Sequence, residues 1–324
     1  VIYDHSTPNE RMTDKPLDIH EASPSELTAA HENVFDIWSK GLPLDEHVAS
    51  RLASPKHRLA TWYVGTLDTR VVVSLGCYPL QFKYCNQLIP GFSIGSVYTV
   101  KECRGQGYAP QLLSWVEKQE RQRGAKIGLL YSDIDPKYYE RLGYQLCPSL
   151  EGWLDPRNIA PPEPTAYHLQ ELNSGQRWPE LAALYANYHG AMPISIARDN
   201  AYWQALLERF PEERFYALCD RAGGWQGYVR TGVRGLQWRI TDYALEDQSL
   251  ELAEALYAAA IELARQGGAE QFGGWLPDHP SSLQFFELHD RKTEITMLKS
   301  LDASLPLDAE MLELASRFCE IDHV

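Results

Sequence analysis

Apolar residues fall at Leu27, Ala30, Val34, Ile37 and Trp38. This three- and four-residue spacing predicts a helix over 24–39 with one buried stripe, and Ser23 stands where an N-cap belongs. A short helix fits 44–53. The pattern then changes to β-branched and aromatic runs at 58–66, 70–79 and 92–100, which predict closely spaced strands joined as hairpins. Next comes a helix over 109–123, its stripe carried by Ala109, Leu112, Leu113 and Val116 and its end marked by Gly124. Pro110 is tolerated there because it falls in the first turn. A strand over 126–131 and a short helix over 136–142 close this half.

The stretch 151–164, EGWLDPRNIAPPEP, holds four prolines and reads as a linker over 151–165 between domains 1–150 and 166–324. Beyond it the pattern restarts. Helices fit 178–189, 201–210, 249–265 and 308–318; strands fit 214–219, 225–231, 235–244, 270–276 and 292–298. Two local correspondences suggest duplication. RGAKIGLLYSD (123–133) and GGAEQFGGWLPD (267–278) are both a helix stop followed by a strand ending in Asp, and YYERLGY (138–144) parallels FFELHDR (285–291). The fold class is therefore α+β: a mixed, mostly antiparallel sheet flanked by helices, occurring twice.

Composition narrows the chemistry. With 44% apolar residues the chain can bury a full core. A formal charge of −14 opposes nucleic acid, whose phosphates repel such a surface. No apolar run is long enough for a membrane span, and the first residues lack the apolar centre of a signal peptide. The six cysteines are scattered with no CxxC pair, which argues against a zinc site or disulfide framework and for a cytoplasmic location. The ten histidines show no HxxxH or HxH spacing, so no metal is expected.

The informative motif is RGQGYA. Arg104, Gly105, Gln106 and Gly107 stand between a strand and a helix. Glycine admits positive φ and lets an anion approach the backbone, and the helix start offers free N–H groups and a positive dipole end. No Gly-Lys-Ser/Thr follows, which excludes a Walker loop, and the GxGxxG dinucleotide fingerprint is absent.

The sequence SVYTVKECRGQGYAPQLL, with Arg-x-x-Gly-x-Ala after a Val-ended strand, is followed about 35 residues later by LYSDIDPKYYERLGY. This pairing, over residues 17–147, resembles the GCN5-related N-acetyltransferase (GNAT) family, in a tandem form whose second domain is degenerate. The second stretch also resembles fungal-type lysine N6-acetyltransferases. The resemblance implies acetyl-CoA as co-substrate. Tyr98, Thr99 and Val100 would pair with the pantetheine arm as an added strand. Arg104, Gly105, Gln106, Gly107, Tyr108, Ala109 and Pro110 would wrap the pyrophosphate, although Pro110 has no N–H to give. Ser132 would contact the cofactor where many members carry Asn. Tyr139 would protonate the departing thiolate, and a phenol of pKa ~10 can do so. The implied activity is transfer of an acetyl group to an amine by direct attack. The acceptor stays open: a small amine, an amino acid or a lysine side chain. The general base also stays open, with Glu32, Asp133 and Asp135 as carboxylates to consider.

In the second half the strand enters its helix without a glycine. Asp242, Glu246 and Asp247 are expected at that turn, where they would repel a pyrophosphate, and Phe286 stands where Tyr139 does. That half is expected to be non-catalytic, closing the acceptor site, completing a shared sheet or forming a homodimer face. The competing reading of the whole chain is a CoA-binding or interaction module without turnover.

Overall fold

The computed structural model describes residues 16–160 and 166–324. In the first half, β1 (Asp18–Glu21) leads into helices α1 (Pro24–Asn33), α2 (Phe35–Trp38), α3 (Leu44–Ala53) and α4 (Pro55–Leu59). Strands β2 (Thr61–Leu67), β3 (Arg70–Tyr84) and β4 (Gln87–Thr99) form an antiparallel meander. Helix α5 (Tyr108–Gln122) crosses back to β5 (Ile127–Ser132), which runs parallel to β4. Helix α6 (Lys137–Glu140), β6 (Gln145–Leu146) and β7 (Leu150–Leu154) follow.

The second half repeats this course. Strand β8 (His168–Leu172), α7 (Ser174–Gly190), β9 (Ile194–Ala197) and α8 (Asn200–Arg209) precede a meander of β10 (Arg214–Cys219), β11 (Trp225–Arg234) and β12 (Gln237–Leu245). Then come α9 (Leu250–Gln266), β13 (Gln271–Trp275), α10 (Pro280–Leu283), β14 (Leu288–Asp290), β15 (Ile295–Ser300) and α11 (Ala309–Leu314).

The two sheets exchange a strand. The first has the order β1-β2-β3-β4-β5-β15-β6, so its sixth member comes from the end of the chain. The second has the order β14-β7-β13-β12-β11-β10-β8, and its second member comes from the first half. The stretch expected as a linker therefore opens with a strand of the second sheet; residues 161–165 of it lie outside the described residues. The exchange requires small residues. Trp153 on β7 faces Gly273 on β13, and a Cβ at Gly273 would collide with the Gly152 carbonyl. A further link is β9, which pairs with residues 81–84 of β3.

Each half keeps its own core. Leu112, Leu113 and Val116 of α5 pack on β3 and β4, while Leu256, Ala260 and Ala264 of α9 pack on the second sheet. A third cluster, including Phe82, Leu129, Tyr131, Trp275, Leu298, Met311 and Phe318, joins them. Helix α1 ends at Asn33 instead of running to residue 39: Val34 leaves the helical backbone at φ −96° and ψ 4°, and α2 restarts after it. At the other end of α1, Ser23 and Glu26 form a reciprocal capping box.

Candidate active site

Strands β4 and β5 pair from Gly91↔Ile127 to Ile94↔Leu130 and then part. The cause is a bulge on β4. The register against β3 jumps between Gly76↔Gly95 and Ser74↔Tyr98, and Ser96 sits there at φ 54°. Past the bulge, Tyr98 and Thr99 stay paired with β3 while β5 no longer covers the other edge of β4. The result is a wedge with one open strand edge, as an added strand requires. Val100 spends its N–H on the Val72 carbonyl at 2.9 Å, so of the three residues expected to hold a pantetheine arm it has no amide left to offer.

At the mouth of this wedge lies the glycine turn. Gly105 and Gly107 both adopt φ 77°, and Gly107 is the N-cap of α5. Among the described residues no side chain caps this fifteen-residue helix. A Cβ at Gly105 would meet nothing within 4 Å, so the turn is open outward. Helix α5 begins at Tyr108, one residue earlier than expected, which leaves Ala109 and Pro110 in the first turn. Arg104 reaches back to the Thr99 carbonyl at 3.0 Å with its guanidinium 5.5 Å from the Tyr98 ring, and the Tyr108 hydroxyl donates to Gln106 Oε1 at 3.0 Å. The loop is thus fixed by its own side chains, and it stands at the positive end of the α5 dipole.

Ser132 ends β5. Its hydroxyl donates to the Ile134 carbonyl at 2.8 Å, so it shapes the turn that follows. Tyr139 lies in α6, buried in the same cluster as Val100 and Tyr108, with its ring edge-on to Tyr138 at 5.0 Å and Tyr144 at 6.2 Å. Wedge, turn and tyrosine therefore share one end of the first sheet. Of the three carboxylates considered, Glu32 is exposed on α1, Asp135 caps the Lys137 amide at 3.0 Å, and Asp133 accepts from the Glu294 amide at 3.1 Å.

Glu294 was not among the sequence candidates, because nothing local marks it. It comes to the end of β5 only because β15 begins at Ile295, paired with Ser132. Burial, and next to it the Asp133 charge, push its carboxyl above the usual value of 4.5. It lines a cavity of about 260 Å³ built by the second half and β7, together with Arg209, Arg239, Trp275, Arg291 and His323. His323 packs edge-on against Tyr131 of β5 at 5.1 Å, and the next residue, Val324, lies 3.0 Å from where a Cβ on Gly95 would be. Residues 323 and 324 thus run from the cavity wall to the splayed ends of β4 and β5.

The second half has the corresponding wedge, since β12 and β13 pair only as far as Ile240↔Gly274. There the chain's own segment 316–320 packs against Thr241, Asp242 and Tyr243, leaving about 10 Å³ of space, barely one water. Ser249 caps α9 from its own side chain. Asp242 is not at the turn, as expected, but fully buried in β12. Arg198 grips it through two hydrogen bonds of 2.8 and 3.0 Å and grips Asp322 with 3.0 and 2.7 Å. This ion triad anchors the segment that fills the wedge. Phe286 follows α10 instead of lying within it, and is buried.

Among the described residues no group of three or more His, Cys, Asp or Glu side chains is placed to hold a metal, and no helix is long and apolar enough to cross a membrane. A family model described as an acetyltransferase (GNAT) domain matches residues 21–147. No curated protein matches the chain in sequence. Similar solved structures include a probable N-acyltransferase from Enterococcus faecalis V583, at 12% identity and TM-score 0.71, covering 93% of this chain and 74% of that one. A GCN5-related N-acetyltransferase from Anabaena variabilis gives 18% identity and TM-score 0.69, with 91% and 75% covered. N-myristoyltransferase from Saccharomyces cerevisiae with bound myristoyl-CoA gives 10% identity and TM-score 0.58, with 96% and 87% covered.

Proposed function

Starting from a GNAT acetyltransferase domain at residues 21–147, in a chain that follows the GNAT fold through both halves, we propose that the protein moves an acetyl group from acetyl-CoA to an amine, using the first wedge only. The observation that carries this is the contrast between the two wedges: one open beside an uncapped helix start, the other packed by residues 316–320. In the first, the free edge of β4 at residues 96–99 takes the pantetheine amides, and the backbone of residues 105–109 takes the pyrophosphate. Acetyl-CoA supplies the activated acyl group. Tyr139 gives its hydroxyl proton to the sulfur as the C–S bond breaks, and the amine proton leaves as the C–N bond forms.

Glu294 is our choice for accepting that proton. Its carboxyl faces the cavity beside the end of β5, and its raised pKa brings it closer to the working pH of a base. Being deprotonated is the active form, so the rate falls as the pH drops through that raised value. Replacing Glu294 by Gln should remove this acid limb from the kcat profile. An unchanged limb would assign the proton to another group.

Calorimetric titration should find one equivalent of acetyl-CoA per chain; two equivalents would refute the reading of the second wedge. Gly107→Glu places a Cβ at φ 77° and a carboxylate beside two phosphate charges, and should weaken binding by about a hundredfold or more. Gly107→Ala isolates the backbone part of that loss. Unchanged affinity in a folded Glu variant would remove the turn as the phosphate site.

A further inference from the structure

Four arginines and four glutamates line the cavity, but they are not matched one to one. Arg239 is paired with Glu320 at 2.9 Å. Arg291 is not paired. Only 6% exposed, it stacks its guanidinium 3.6 Å from the Trp275 ring and donates Nη2 to Thr296 Oγ1 at 2.8 Å. Among the described residues its Nε and Nη1 have no hydrogen-bond partner. Arg209, on the same wall, donates to the carbonyls of Ile321 and His323.

Three of the four carboxylates lining the cavity are committed elsewhere, Glu213 to Arg230 at 2.9 Å and Glu320 to Arg239. Glu151 accepts from the Trp153 indole at 3.0 Å, and Glu294 lies 3.6 Å from His323 Nδ1. A buried guanidinium with two idle donors is costly unless something anionic meets it. A guanidinium fork matches a carboxylate in shape and in hydrogen bonding. On the same wall, Glu294 offers a negative group towards the end of β5. The cavity therefore presents a carboxylate partner and an ammonium partner to one occupant. Its volume of about 260 Å³ suits a metabolite and lies below that of sites for drug-sized ligands, roughly 300–1,000 Å³.

We infer that this cavity is the acceptor site and that it selects a free amino acid, with Arg291 holding the carboxylate and the reacting amine turned towards Glu294 and the end of β5. This rests on the acyltransferase reading above. It narrows the acceptor from amines in general to amines that carry a carboxylate, and it makes the second half a contributor to specificity, since Arg291 and Glu294 both belong to it.

The test compares matched acceptors on the wild-type protein: each of a panel of free amino acids, its carboxamide, and the amine left by decarboxylation. CoA-thiol release is followed alongside calorimetric binding of the same compounds to the acetyl-CoA-loaded protein. The free amino acid should be preferred in kcat/KM, and bound more tightly, by roughly 10–100-fold, the worth of a hydrogen-bonded pair with a charged group. In Arg291→Gln this preference should collapse through KM. In Arg234→Gln, at the end of β11 on the cavity wall, it should fall less. The inference is overturned if the wild-type protein treats carboxamides or decarboxylated amines as well as the acids. It is equally overturned if a lysine within a peptide is the preferred acceptor, or if no free amino acid binds at millimolar concentration. The wild-type comparison stands even where Arg291→Gln does not fold. Failure of acetyl-CoA to bind would instead overturn the acyltransferase reading, and the two failures are read from separate titrations.

Discussion

A chain cut after residue 164 should fail to fold, although its first half contains every residue expected to touch acetyl-CoA. Strand β15 fills the place between β5 and β6, pairing Ile295 with Ser132 through to Ser300 with Ile127. Removing it strips the partner edge from β5 and takes away Ile295, Met297 and Leu298, all buried. At about 1.5–3 kcal/mol for each fully buried side chain, that is roughly 5–9 kcal/mol, comparable with the whole stability of an ordinary domain at about 5–15 kcal/mol. The exposed edge of β5 would also invite aggregation. The second half alone should fail for the reciprocal reason, since it lacks β7. Co-expression of the two pieces should restore a soluble complex, because each then supplies the strand the other lacks. Gel filtration and far-ultraviolet circular dichroism on the three preparations check this; a monomeric, folded first half would contradict the exchange.

Tyr139→Phe should slow the chemical step by about 10²–10⁴-fold, the usual worth of general acid catalysis, with the lower end favoured because a water can partly replace the hydroxyl. The ring stays, so its contacts with Tyr138 and Tyr144 are kept and acetyl-CoA affinity should change little. The loss belongs in kcat, because the proton matters only as the C–S bond breaks. Single-turnover measurement under saturating acetyl-CoA checks it. A variant with full kcat where chemistry limits the rate would leave Tyr139 as a packing residue.

Much of the fold was legible, and the exceptions share a cause. Strand β10 occupies the expected residues 214–219, and helices α5 and α9 start within one residue of expectation, because glycine stops and apolar stripes are local signals. Strand β3 was expected to end at Pro79 and continues to Tyr84. Proline is tolerated there because it falls between the two strands that share that edge: β2 pairs up to Cys77 and β9 begins at Gln81. The exchange of β7 and β15 was not legible. Alternation identifies a strand but not its partner, and pairing partners more than 110 residues apart leave no trace in a local window. The glycine turn could be read because its chemistry lies in consecutive residues. Arg291 and Glu294 could not, since each is an ordinary charged residue until the fold brings distant segments to one cavity wall.

The segment 316–324 serves two places at once. Its first residues plug the wedge of the second half, Asp322 is bound by Arg198, and His323 forms part of the cavity wall near β5. A lineage that reopened the plugged wedge would have to withdraw the plug, and with it a wall of the other site. The two places therefore cannot be altered independently: a change that frees the second wedge also moves His323.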